Sequence, residues 1–252
     1  MKRRFFLSVV ALLVLVLCLS ACNRNQVLTV DDPALLEFPG LKWNSSVKEV
    51  KKALGLKNEQ ILFDEKLEDE DVEYDTWGLV VSGIQFFDVE ADKVRFTFIR
   101  YPGKDYGLLN ISLSFSGETD MNMLKEEMIE AYGSGSTESA PSYFINEEGR
   151  LEEVDSDSLV KVSGTEVGYP HYWYSTVTGI DALSAAALER YIDHTLTLNA
   201  GINQETMREG LLDYLEKTSV VQVSCTDWTT EKSSSVTFYA NMLVHILQQF
   251  EE

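Results

Sequence analysis

The residues able to carry chemistry are few and scattered. His171, His194 and His245 are the histidines, and no two stand at a metal-ligand spacing. There is no H-E-x-x-H, no G-x-S-x-G, no phosphate-binding loop and no dinucleotide fingerprint. Ser45-Ser46-Val47-Lys48 and Ser158-Leu159-Val160-Lys161 have the S-x-x-K spacing that lets a lysine amine activate a serine, and Lys217-Thr218-Ser219 is close to K-T-G. The S-x-N element that such an enzyme needs is absent, and Ser46 with Glu49 forms the S-x-x-E of a helix cap, so these matches are chance. From Asp64 to Asp75 the chain is densely acidic, which would suit a hard cation, but like-charge blocks are more often solvated loops. Asp155-Ser156-Asp157 opens like a calcium loop with Glu166 at its twelfth position. Leu159 and Val160 stand where an oxygen ligand and a glycine belong, which rules that loop out. No catalytic residue, cofactor or metal site is expected.

The cysteines say more. Lys2, Arg3 and Arg4 precede an apolar run, Phe5 to Leu17, broken only by Ser8, and Leu19-Ser20-Ala21-Cys22 closes it. The run is shorter than the ~20 residues that span a bilayer, which favours a cleaved leader over a permanent helix. This segment resembles the signal peptide and lipobox of bacterial lipoproteins. The resemblance implies lipidation of the Cys22 thiol, cleavage before Cys22, and attachment to the extracytoplasmic face of the cell membrane, or to an outer membrane where the organism has one. Cys18 then leaves with the leader, and Cys225 remains as the one free thiol, so no intramolecular disulfide is expected. Val220 to Cys225 alternates like a strand, which makes Cys225 a buried structural residue.

Charge narrows the partners. The chain carries 21 Lys and Arg against 41 Asp and Glu, net −20; losing Lys2, Arg3 and Arg4 leaves 18 against 41, net −23. Phosphate repels such a surface, so nucleic acid is excluded as a partner. Anionic lipid heads repel it as well, and the lipid on Cys22 holds the protein at the membrane against its own charge.

The elements fall into two α+β units. Residues 1–21 are the leader and 22–37 a tether, which at ~3.3 Å per residue reaches about 50 Å. The first unit covers 38–133. A short helix over Val47–Leu54 starts at the Ser46/Glu49 box and stops at Gly55. Strands follow over Trp77–Val89, around Val94, Phe96 and Phe98, and around Leu109, Ile111, Leu113 and Phe115. Turns are expected at 90–93 and 102–105. A helix over 120–132 carries Met121, Leu124 and Met128 on one stripe. Residues 134–167, opening with Ser134-Gly135-Ser136 after Gly133, read as a flexible acidic linker. The second unit, 168–252, has a strand around Tyr172-Trp173-Tyr174, helices over 181–198 and 204–217, and strands over 219–226 and 235–240. Residues 242–250 fit a strand or a helix equally. Trp43, Trp77 and Tyr172 to Tyr174 would suit a ligand groove, though core packing is the simpler reading.

Gly40, Trp43, Glu49, Val50, Leu54, Gly55, Tyr132 and Gly133 mark a plan of capped helix, antiparallel meander and helix. Over 38–133 it is similar to the small α+β module of envelope lipoproteins, shared by the barrel-assembly lipoprotein and the repeats of β-lactamase inhibitor protein. Trp43-Asn44 and the helix after the meander depart from that module. The resemblance implies a non-catalytic module that binds an envelope protein partner. The alternatives are a ligand- or cation-binding accessory lipoprotein, using 64–75 or 172–174, and an envelope hydrolase with an unrecognised site.

Overall fold

Alternation of apolar and polar side chains builds the sheet at the centre of the computed structural model. The structure describes residues 30–67, 73–117, 119–154, 168–228 and 233–251. The expected leader 1–21, Cys22, the first part of the tether, and the calcium-like and S-x-x-K segments within 155–166 lie outside them.

The fold is α+β. In chain order its elements are α1 (Val47–Ala53), β1 (Ile61–Leu67), β2 (Asp75–Val81), β3 (Ile84–Phe86), β4 (Val89–Ala91), β5 (Lys93–Arg100), β6 (Gly107–Ser116) and α2 (Met121–Tyr132). Then come β7 (Ser142–Ile145), β8 (Leu151–Val154), β9 (Gly168–Tyr174), α3 (Ala185–Leu198), α4 (Gln204–Lys217), β10 (Gln222–Trp228), β11 (Ser233–Tyr239) and α5 (Asn241–Gln249). Seven strands form one antiparallel sheet in the order β1-β2-β5-β6-β11-β10-β9. The meander of the first half and that of the second are therefore joined edge to edge through β6 and β11.

Register assigns the two faces. Phe96, Ile111, Phe238, Val223 and Trp173 lie in one row across five strands, and all are buried. Phe38 packs on this face, stacked on Phe86 at 5.3 Å and edge-on to Phe238 at 5.6 Å. Each such aromatic pair adds ~0.5–1.5 kcal/mol beyond area burial, so this cluster is a major anchor of the core. The stripe Met121, Leu124 and Met128 of α2 is buried in the same cluster. Ser46 and Glu49 form the expected reciprocal cap of α1, and Asp120 and Asn203 cap α2 and α4.

Several expectations are corrected. The tether does not run to 37: Asp32 caps a 3-10 turn over Pro33–Leu35, and Leu36, Glu37 and Phe38 are buried. Apolar side chains so near the leader are drawn into the core. The acidic segment from 64 is not all loop, because Asp64 to Leu67 belong to edge strand β1, whose solvated side tolerates charge. Trp77–Val89 is not one strand; Ser82-Gly83 breaks it into β2 and the small β3–β4 hairpin, and residues 90 and 91 are strand rather than turn. Within 134–167, residues 142–154 are not a flexible linker but a β7–β8 hairpin packed on α4. A Cβ on Gly210 would lie 2.3 Å from the Gly149 carbonyl oxygen, so only glycine allows this approach. Residues 241–249 are helical.

Gln248 of α5, 3% exposed, closes one end of the sheet. Its Nε2 donates to Asn44 Oδ1 at 3.0 Å and to the Ile99 carbonyl at 3.1 Å, and its Oε1 accepts the Tyr101 N–H at 3.1 Å. Gly107 sits beneath this knot, where a Cβ would lie 1.9 Å from Asn44 Oδ1.

Candidate functional site

The residues singled out by type do not converge. His171 Nε2 lies 2.8 Å from the Ser134 carbonyl oxygen, His194 rests against Phe250, and His245 Nδ1 meets the Tyr101 hydroxyl at 2.8 Å. Among the described residues no group of His, Cys, Asp or Glu is placed to hold a metal. Cys225 is buried on the packed face, and burial pushes its thiol up to about 11, so it is not a reactive thiolate. Ser46 is occupied as a cap, bonded to Glu49. Trp43 and Trp173 are core residues, donating to the carbonyls of Leu35 and Gly133 at 2.9 and 2.7 Å.

Among the described residues, a hollow of 400 Å³ lies over the Asn44–Gln248 knot and the Ser46/Glu49 cap, whose polar groups are already paired, and two further concavities stand out. The larger is a cleft of 530 Å³ that includes Glu73, Tyr74, Asp75, Arg100, Tyr101 and Lys104. Its polar groups are mostly engaged with one another or with neighbours. Asp75 bridges Arg100 and Lys66, which hold its carboxyl below the usual range. The Arg100 guanidinium lies 4.5 Å from the centre of the Tyr106 ring. Tyr101 is bonded to His245, and Tyr74 packs on both rings. Nearby, Asp64 bridges Lys51 and accepts the Trp77 indole N–H at 3.0 Å. The ends of the acidic stretch are thus committed to internal pairs.

The smaller pocket, 220 Å³, is drawn together from three parts of the chain. Ser142 and Tyr143 come from the β7–β8 hairpin, Tyr214 and Lys217 to Ser219 from the end of α4, and Tyr174 and Gln222 from the sheet. Lys217 Nζ lies 5.5 Å from the centre of the Tyr143 ring. The Tyr174 hydroxyl accepts the Ala140 N–H at 2.7 Å, leaving its own hydrogen to donate. Thr218 Oγ1 is buried with no hydrogen-bond partner. An orphaned buried hydroxyl costs ~1–3 kcal/mol, which a ligand hydroxyl or water would offset. The lining contains no carboxylate, in a chain with 41 Asp and Glu. Of these residues the sequence pointed only to Tyr174, for its aromaticity, and to Lys217–Ser219, for an irrelevant motif. Tyr143 carried no signal, and Tyr214 only that of the inward stripe of its helix, because the packing of α4 on the hairpin is what brings them together.

This pocket adjoins the second face of the sheet. Thr97, Asn110, Tyr239, Gln222 and Tyr174 lie in one row, and Arg95, Ser112, Thr237, Ser224 and Tyr172 in the next. None of these side chains is buried, and Tyr239 is 42% exposed. From β5 to β9 these rows hold hydroxyls, amides, tyrosines and one arginine, without a carboxylate. No helix among the described residues is long and apolar enough to cross a membrane. Comparison with protein-family models, curated proteins and solved structures finds no match to this chain.

Proposed function

We propose that the chain is a lipid-anchored, extracytoplasmic binding protein without catalysis, which presents the open face of its sheet to an envelope protein partner. The supporting observation is that face. One side of the sheet is packed with Phe, Ile, Leu and Trp, while the other leaves two five-residue rows partly open to solvent, with Arg95 and Tyr239 exposed. Carboxylates dominate the chain, yet those rows have none. Tyrosine offers large rigid contact area at low entropic cost, and short hydroxyl side chains adapt to a partner's hydrogen bonds. The leader and Cys22 supply the anchor.

Photo-crosslinking in the native envelope tests the face. A benzophenone side chain at Thr237 or Ser112 captures a specific partner, identified by mass spectrometry, whereas one at Lys48 on α1 does not. Equal capture from all three positions, or none from the sheet, counts against the reading. The anchor is tested separately: Cys22→Ala abolishes lipid labelling and leaves the protein unprocessed or released, and unchanged labelling refutes it.

A further inference from the structure

We propose that the pocket formed by Tyr143, Tyr174, Tyr214, Lys217, Thr218 and Gln222 binds a single uncharged pyranose ring of an envelope glycan. This deepens the reading of the chain as a non-catalytic binding protein and rests on it, but it depends neither on the protein-binding face nor on how the protein is anchored.

The chemistry of a sugar matches the lining on each count. A pyranose has C–H faces that pack on aromatic rings and a rim of hydroxyls that both donate and accept. The pocket offers tyrosine rings beside Lys217, Thr218 and Gln222. Its 220 Å³ is below the ~300–1,000 Å³ of sites for drug-sized ligands, which fits one ring with its neighbours left outside. Thr218 Oγ1 is buried without a partner in the pocket wall, so a ligand hydroxyl pairs with it once the side chain turns toward the pocket, and the Tyr174 hydroxyl retains its hydrogen. A cationic ligand would find Lys217 and no carboxylate. An anionic one would meet the field of a strongly acidic chain and a lysine already set against the Tyr143 ring. An uncharged ring escapes both penalties. The pocket's position at the end of the row containing Gln222 and Tyr174 lets a longer glycan continue over the open face.

The test uses the full chain in a zwitterionic detergent, since detergents with sugar headgroups would compete. Methyl glucopyranoside, methyl N-acetylglucosaminide, methyl glucuronide and a proline-rich peptide are each titrated, followed by saturation-transfer NMR. At least one of the two uncharged pyranosides binds. Tyr143→Ala, which removes a ring, and Thr218→Val, which removes only the hydroxyl, each weaken that binding about tenfold. Thr218→Val deletes an unpaired group, so its melting temperature stays level or rises, and its loss of binding is not a folding defect. Binding by neither uncharged pyranoside, unchanged affinity in both variants, or binding only by the glucuronide or the peptide each overturns the proposal. Specific crosslinks from Thr237 would then leave the protein-binding face standing, while their absence with sugar binding intact would remove the face and keep the pocket.

Discussion

The cleft around Arg100 and the pocket around Thr218 differ in one respect that outweighs size. The cleft is more than twice as large, yet its charges and hydroxyls are largely spent on each other. Asp75 has Arg100 and Lys66, Tyr101 has His245, and Gln248 ties the Tyr101 backbone into the sheet end. Such a cavity gives a ligand few groups that would not first have to be freed. The pocket keeps a buried hydroxyl unpaired and a tyrosine hydrogen free. Volume marks where a ligand fits, and unmet hydrogen bonds mark where one is wanted.

The largest expected effect lies on the satisfied side. Gln248→Leu keeps the bulk but strips partners from Asn44 Oδ1 and the Tyr101 N–H, and weakens the carbonyl environment of Ile99. Buried groups left unpaired in this way cost about 3 kcal/mol, which corresponds to roughly 10 °C in melting temperature for a chain of this size. Thermal unfolding checks it. A loss no larger than that of an exposed control would mean the cleft side is not the rigid end of the molecule.

Next comes the support of the pocket. Gly210→Ala forces the β7–β8 hairpin away from α4, because the new Cβ would meet the Gly149 carbonyl oxygen. Overpacking of this kind costs about 2 kcal/mol. The displaced hairpin carries Tyr143 with it, so sugar binding falls while the environment of His245 does not change. Selective NMR of the tyrosine and histidine rings reads both. A shift at His245 equal to that at Tyr143 would erase the distinction between the two sites.

How much of this was legible follows from where the information sits. Ser46 with Glu49, Asp120 and Asn203 announce their helices because capping is local chemistry. The alternation in β5 and β6 is plain because one face is buried throughout. Strand β1 hid behind Asp64, Glu65 and Lys66, since an edge strand accepts charge that a central one would not. The β7–β8 hairpin hid behind Glu and Gly, because what fastens it is Gly210, more than sixty residues away. The α5 segment fitted either period until its contacts were seen: Leu243, Val244 and Ile246 are buried, and Gln248 is buried with them. The pocket suffers most, being assembled from segments whose proximity only tertiary packing creates.

A smaller effect separates the two sites by pH. Burial holds the His245 imidazole below its ordinary value of 6.5. Above 6.5 the imidazole is neutral in the folded and unfolded chain alike, and no cost arises. Below 6.5 the unfolded chain takes the proton first, so folding weakens until the folded imidazole also protonates. His245→Phe keeps the ring against Tyr74 and Tyr101 and removes this dependence. Between about pH 7 and 5 the wild type should lose melting temperature more steeply than the variant. Parallel curves would show that His245 does not titrate differently on folding.

The smallest effect on stability tests the comparison most directly. The three side chains of the Lys66–Asp75–Arg100 network are each at least a third exposed, and solvent screens such pairs. Arg100 first, and Lys66 second, hold the Asp75 carboxyl below its ordinary 3.8, so its contribution is present above that value and is lost as pH falls through the folded one. Asp75→Asn therefore barely changes unfolding at neutral pH. It does, however, release Arg100, which lines the 530 Å³ cleft, and Lys66, its neighbour on Asp75. If internal satisfaction is what keeps that cleft inert, the variant gains binding of inorganic sulfate that the wild type lacks, and the gain disappears as salt rises. If the variant stays as inert as the wild type, the cleft is silent for a reason other than its ion pairs, and an unpaired hydroxyl would no longer be enough to single out the pocket around Thr218.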